Sequence, residues 1–248
     1  MRLIAGNWKM NGLQAEGLAL ARAVADAIRG APPLGAEALI CPPATLLASV
    51  GAAIAGTGLA LGGQDCSPEA KGAFTGDVSA AMLADLGCRY VIVGHSERRQ
   101  FRGETDAAVA KKAAAAQAAG LHAIVCVGER GDERARGAAQ TIVLGQMAGS
   151  LPADIDPTRL VVAYEPVWAI GSGRTPTPAE IAEIHGALRH WLGERFGSIG
   201  SGIRLLYGGS VTPANAAAIL AVPAVDGSLV GGASLKASDF IGIIRAAA

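Results

Sequence analysis

Short apolar runs recur along the chain and alternate with longer stretches of helical period. The runs are Arg2–Asn7, Ala38–Cys41, Leu59–Gln64, Tyr90–Gly94, Ala123–Val127, Leu160–Tyr164, Arg204–Tyr207 and Gly227–Val230, eight in all. They are continuously apolar, as strands of a parallel sheet covered on both faces are. Between them, Leu18, Ala21, Val24, Ala25 and Ile28 fall on one face of a first helix. Asp106–Ala119 is almost all alanine, with Lys111 and Lys112. Pro178–Phe196, the longest helical stretch, opens with Thr177–Pro178 and carries Glu180 in its first turn, which is a helix-start signal. Eight β units, each followed by a helix, predict an α/β protein: a (β/α)8 barrel of eight parallel strands with outer helices. The alternative is an open doubly wound sheet, but only Gly6 and Gly12 stand after the first strand and no GxGxxG follows it. No linker, low-complexity tail or repeat divides the chain, so residues 1–248 are expected to form a single barrel domain.

Composition narrows the function classes. A chain of 248 residues buries enough surface to need no disulfide or metal for its core. Its 21 basic and 21 acidic side chains balance, which leaves no electrostatic footprint for nucleic acid and no basic run for a membrane surface. No apolar stretch approaches the roughly 18 residues of a membrane span. The N-terminal Met1–Gly6 segment is too short for a signal peptide. The four cysteines, Cys41, Cys66, Cys88 and Cys126, form no CxxC pair and read as buried thiols in a reducing cytoplasm. A cytoplasmic protein without a metal site is expected.

The chemistry-bearing residues gather at one end of these units. In a barrel of this type, reactions take place at the C-terminal ends of the strands. Asn7 and Lys9 close the first strand, His95 and Ser96 follow the fourth, Glu129 the fifth and Glu165 the sixth. Ser210 follows the seventh behind Gly208 and Gly209, and Gly231 and Gly232 follow the eighth. A lysine, a histidine and a glutamate converging on one rim would make an acid/base site. Taken singly, Lys9 reads equally as a solvated strand-end charge and Glu165 as an arginine partner. His122, His185 and His190 read as surface or core histidines. The conjunction at strand ends favours a site. Glycine-rich turns after the last two strands add backbone amides, where such barrels bind phosphate.

Five segments, "AGNWKMNG", "VGHSERR", "YEPVWAIGSG", "YGGSV" and "LVGGASL", resemble the motifs of the triosephosphate isomerase family in order and spacing across essentially the whole chain. "QDCSPEAKGAFTGDVS" resembles the family's protruding third loop. The resemblance implies the TIM-barrel fold. It also implies interconversion of dihydroxyacetone phosphate and glyceraldehyde 3-phosphate, in glycolysis and gluconeogenesis, with no cofactor. Carried over position by position, Glu165 is the base for a carbon-bound proton. His95 is a neutral imidazole serving the substrate oxygens, an assignment already established for the family. Lys9, with Asn7 beside it, supplies positive charge near the enediolate. Ser96 and Glu97 support this network, and Gly171, Ser210, Gly231 and Gly232 hold the phosphate.

The resemblance also accounts for a carboxylate followed by an apolar, glycine-rich loop. Residues 166–176 are implied to be a lid. Pro166, Val167 and Trp168 form its stiff leading hinge, and Ala169 and Ile170 cover Glu165 and exclude water. Its trailing hinge, Arg174–Thr175–Pro176, departs from the commonest family pattern. Tyr207 usually bonds the amide of residue 176 in the closed lid, and Pro176 has no N–H to donate. A changed closure equilibrium is therefore expected. Arg102 likewise stands where an aromatic is common. A homodimer is implied, with the third loop, Asp65–Ser79, placing Thr75 beside Asn7 and Lys9 of the partner subunit. Two rival readings are a Schiff-base aldolase using Lys9 and a sugar-phosphate-binding protein without catalysis. The first leaves Glu165 and the lid motif unexplained. Against the second, every matched catalytic position keeps its chemical group.

Overall fold

The computed structural model describes residues 1–30, 36–170 and 174–247. Eight parallel strands close into a barrel in sequence order, β1-β2-β3-β4-β5-β6-β7-β8 with β8 back on β1. They are β1 Arg2–Asn7, β2 Ala36–Cys41, β3 Ala60–Gly63, β4 Tyr90–Val93, β5 His122–Val127, β6 Leu160–Tyr164, β7 Arg204–Tyr207 and β8 Gly227–Val230. The expected runs and the observed strands differ by two residues or fewer at any end.

Helices cover the outside: α1 Gln14–Gly30, α2 Leu47–Ile54, α3 Ala80–Asp85, α4 Ser96–Arg102, α5 Asp106–Ala118, α6 Gly131–Ala135, α7 Ala139–Ser150, α8 Pro178–Phe196, α9 Ala216–Leu220 and α10 Ala237–Ala246. Their ends follow local chemistry. At α8 the Thr177 hydroxyl accepts from the Glu180 amide at 3.3 Å and the Glu180 carboxylate accepts from the Thr177 amide at 2.7 Å, closing a capping box. Thr105 caps α5 in the same way through the Ala108 amide. On α1 the predicted stripe turns inward: Ala21, Val24, Ala25 and Ile28 are buried and Leu18 packs against them.

Strand alternation builds two cores. Leu3, Ala5, Leu39, Cys41, Tyr90, Ile92, Ile124, Cys126, Val161, Ala163, Leu206 and Leu229 fill the barrel interior. Their neighbours Ile4, Ile40, Val91, Val125, Val162 and Leu205 face outward and pack with the helices. Both faces of each strand are therefore buried, which is why the strands are continuously apolar. The same parity decides the site. Asn7 continues the inward series Leu3, Ala5, and Glu165 continues Val161, Ala163, so both side chains leave the barrel at its C-terminal mouth. All four cysteines are buried thiols. Among the described residues, no helix is long and apolar enough to cross a membrane.

Candidate active site

A cavity of about 410 Å³ opens at the C-terminal end of the strands. Asn7, Lys9, His95, Glu165, Ser210, Gly231 and Gly232 line it, so side chains from β1, β4, β6, β7 and β8 and their loops meet there. Ile170, Leu229 and Leu235 supply apolar wall. Of the expected site residues, only Gly171 lies outside the described residues.

Glu165 is 2 % exposed and is held at both carboxylate oxygens. Oε1 lies 2.9 Å from His95 Nε2, and Oε2 accepts the Ser96 amide at 2.9 Å. Its aliphatic stem passes close to β7: a Cβ on Gly208 would meet Glu165 Cγ at 2.9 Å, so a side chain there would crowd the carboxylate. Burial by itself pushes the Glu165 pKa up. His95, the Ser96 amide and Lys9 together outweigh it, and the carboxyl titrates below its ordinary value.

His95 is the N-cap of α4, and its Nδ1 accepts the Glu97 amide at 3.2 Å. An acceptor nitrogen carries no proton, so the neutral ring bears its hydrogen on Nε2 and donates it to Glu165. Burial lowers the His95 pKa, but the charge and hydrogen bond of Glu165 prevail in this resting pair, and the net direction is upward.

Lys9 sits in the left-handed backbone region at φ 53°, which costs a non-glycine residue on the order of 1 kcal/mol. Its surroundings hold it there. The Asn7 Oδ1 accepts the Lys9 amide at 3.0 Å, and Gln64 Nε2 donates to the Lys9 carbonyl at 2.8 Å. The ammonium ends 2.5 Å from Glu97 Oε1. Glu97 thus joins the two cavity residues, through its carboxylate to Lys9 and through its amide to His95.

Two participants have roles here that the sequence pattern does not assign. Asn11 lines the cavity, with its amide donating to the Trp8 carbonyl at 2.8 Å. Glu129 is fully buried and anchors the segment after β6: it accepts from Tyr164 Oη at 3.1 Å, from Trp168 Nε1 at 2.8 Å and from Arg134 at 3.3 Å. The only sequence signal for Glu129 is its place just past a buried strand, the same signal that marks Glu165. Trp168 lies in a 3-10 turn, Val167–Ala169, whose first amide donates to the Glu129 carbonyl at 3.1 Å.

Among the described residues, no group of three or more His, Cys, Asp or Glu could hold a metal ion. The arrangement can move a proton between a buried carboxylate and a bound carbon acid, donate to an oxygen through a neutral imidazole, and offer one cation to a developing negative charge.

Comparison with known proteins agrees with this geometry. The family model described as Triosephosphate isomerase matches residues 2–247. The triosephosphate isomerase of Xanthobacter flavus is 57 % identical over 244 residues, covering 98 % of this chain and 96 % of that protein. That of Hyphomonas neptunium is 53 % identical over 246 residues, covering 99 % and 98 %. The crystal structure of triosephosphate isomerase from Bartonella henselae superposes with a TM-score of 0.91 at 46 % identity, covering 99 % of this chain and 98 % of that one.

Proposed function

The chain belongs to the triosephosphate isomerase family, and from that premise we propose how its own residues carry out the interconversion of dihydroxyacetone phosphate and glyceraldehyde 3-phosphate, a step of glycolysis. Glu165 takes a proton from the carbon next to the carbonyl. The electron pair passes to the carbonyl oxygen, giving an enediolate. His95 donates its Nε2 hydrogen to one oxygen and recovers a proton from the other, and Glu165 returns its proton to the adjacent carbon. Lys9 faces the enediolate charge. Asn7, Ser210, Gly231, Gly232 and Gly171 hold the substrate and its phosphate, and Ser96 and Glu97 position Glu165 and the His95–Lys9 pair. The reaction is redox-neutral, so electrons balance without a cofactor.

The observation that carries this reading is the convergence of one base, one neutral imidazole and one ammonium on a single cavity whose other wall is glycine-rich backbone. In the resting state Glu165 is tied to Ser96 and His95. To reach a carbon it must release both. His95 then loses the main partner that raises its pKa; burial, the largest influence, and Lys9 lower it, against the smaller opposing pull of Glu97. The imidazole is thus neutral when it is needed as a donor, as its Nδ1 bond to Glu97 also requires. Closure of residues 166–176 excludes water and strengthens Glu165 as a base. Lys9 is engaged in an ion pair with Glu97, which is not how an amine nucleophile for a Schiff base is held.

We read residues 1–248 as one barrel domain, working in the cytoplasm as a homodimer. Loop 3 supports the dimer: residues 68–77 are exposed, with Phe74 46 % accessible at the tip beside Thr75. A second cavity of about 390 Å³, lined by Asn7, Lys9, Met10, His95, Phe101 and Arg102, could receive it. Met10 is 95 % and Phe101 66 % exposed on that face. Light scattering giving the mass of a single chain would remove the dimer.

The enzymatic assignment is tested by a coupled assay of glyceraldehyde 3-phosphate conversion on wild type and Glu165→Asp. Withdrawing the carboxylate by one methylene should lower kcat by about 10²-fold or more. A folded wild type that binds the sugar phosphate without converting it would overturn the reading.

A further inference from the structure

Two cavities meet at one residue. The substrate cavity lies on one side of Glu165. On its other side is a second cavity of about 250 Å³, framed by the C-terminal ends of β4 and β5 and by α4, α6 and α7. Among the described residues, Glu165 alone lines both. Its two carboxylate oxygens are divided between them. Oε1 meets His95, which lines the front cavity and not the rear. Oε2 accepts the amide of Ser96, which lines the rear cavity and not the front.

The rear cavity is polar and open at its outer end. Ser96, Arg99, Gln100, Arg130, Glu133 and Gln146 line it. Gln100, on α4, and Arg130, just before α6, are exposed, so its rim reaches bulk solvent. A polar space of this size has room for several water molecules with partners for each. Its frame is braced. Arg99 donates to the Gly94 carbonyl at 2.8 Å and to the Cys126 carbonyl at 3.1 Å, and Gln146 brackets Gly128 through its amide and its carbonyl. The strand ends around the space are thus held by bonds of their own. No step of the isomerisation described above uses this cavity.

We propose that the rear cavity is the route by which a hydrogen taken up by Glu165 exchanges with solvent during turnover. The proposal rests on the isomerase reading and deepens it. Once Glu165 holds the proton of the substrate carbon, the enediolate fills the front cavity and stands between the carboxyl and solvent on that side. A half turn about the terminal torsion of the side chain, which is a soft rotation, carries the O–H to the rear. There the carboxyl passes its proton to a water and takes another from it. One hydrogen is exchanged, no charge changes and no electron moves. Glu165 then delivers the new hydrogen to the adjacent carbon. Each turnover is a competition between direct return of the original proton and exchange through the rear.

The test converts protiated glyceraldehyde 3-phosphate to dihydroxyacetone phosphate in heavy water, with the product removed at once by coupled reduction. Mass spectrometry reads deuterium at its hydroxymethyl carbon. Retained hydrogen reports direct return and deuterium reports exchange, and their ratio does not depend on the amount of active enzyme. Gln100→Cys and Arg130→Cys, one at a time, place a thiol at the rim. The native cysteines, Cys41, Cys66, Cys88 and Cys126, are buried, so methyl, propyl and benzyl methanethiosulfonates label the new thiol alone, which the protein mass checks. The ratio of deuterium to hydrogen should fall several-fold from the unlabelled to the benzyl-labelled enzyme, stepwise with the size of the group, and should return when dithiothreitol removes the label. A merely structural disturbance would lower kcat without grading the ratio in this way. A ratio unchanged by the benzyl group at both positions, or a wild type that returns only hydrogen, overturns the rear route and leaves the isomerase reading intact. A wild type that does not convert glyceraldehyde 3-phosphate overturns both.

Discussion

Replacing Gly128 with alanine would test how firmly the barrel fixes its base. β5 and β6 run side by side to their C-terminal ends, and the Glu165 amide still donates to the Val127 carbonyl at 2.8 Å. Gly128 then passes directly against Glu165. A Cβ there would lie 1.7 Å from the Glu165 carbonyl oxygen, 2.7 Å from its carbonyl carbon and 3.2 Å from its Cα. Close carbon–oxygen contacts settle near 3.3 Å, so the two backbones would have to part by roughly 1.5 Å. All three atoms are main chain, and no rotamer change relieves the clash. Gln146 holds Gly128 from the other side, accepting its amide at 2.8 Å and donating to its carbonyl at 3.1 Å. Glu165 is therefore the partner that gives way. A 1 Å misplacement of a reacting group costs on the order of 10²-fold in rate, so kcat should fall by about that factor. KM should change less, because the turns after β7 and β8 do not touch Gly128. Gly186→Ala is the control. It lies exposed in α8, an added Cβ would meet nothing within 4 Å, and its kcat should match wild type. Kinetics from an assay coupled to NADH oxidation, read beside thermal melts of both variants, would decide. A folded Gly128→Ala enzyme with wild-type kcat would refute the claim that this contact positions the base.

Stability should depend on pH through His185. Burial lowers its pKa to about 4 from 6.5, so between these values the unfolded chain holds the proton and the folded chain does not. Its contribution is complete above the unfolded value and falls away as the pH drops through this window, by about 3 kcal/mol in all. Urea unfolding at pH 7 and pH 4 should show that loss in wild type and much less of it in His185→Gln; parallel losses would refute it. Pro176→Ala returns an amide hydrogen that Tyr207 could accept, and a net bond of about 1 kcal/mol corresponds to roughly a five-fold shift toward the closed lid. Unchanged kcat and KM in Pro176→Ala would mean that residue 176 does not set closure.

Much of this arrangement can be read from residue order. A parallel barrel buries both faces of every strand, so Tyr90–Val93 and Leu160–Tyr164 stand out as unbroken apolar runs. The long helices also announce themselves, α8 by its Thr177–Glu180 box and α1 by its apolar stripe. Short α2, α3, α6 and α9 carry too few residues for a period to show; α2, α3 and α9 form because the barrel offers each an apolar surface, while α6 buries no residue and starts on the Arg130 amide's bond to Glu133. The catalytic candidates are legible for a related reason: a charge directly after a buried strand must have a use or a partner, and Glu165 has both.

What the chain determines by itself is the period of its hydrophobic residues, the chemistry at the strand ends and the missing amide at Pro176. Each is a property of local covalent structure or of burial averaged over a strand. Only the tertiary structure decides the rest. The left-handed turn at Lys9 is held by Asn7 and by Gln64, which lies 55 residues away. The proton on His95 is assigned by an amide of α4. Glu129 holds Trp168 and Tyr164 because β5 and β6 are neighbours. Such contacts depend on distances of a few ångströms between residues far apart in sequence, and closure of the barrel is what sets those distances.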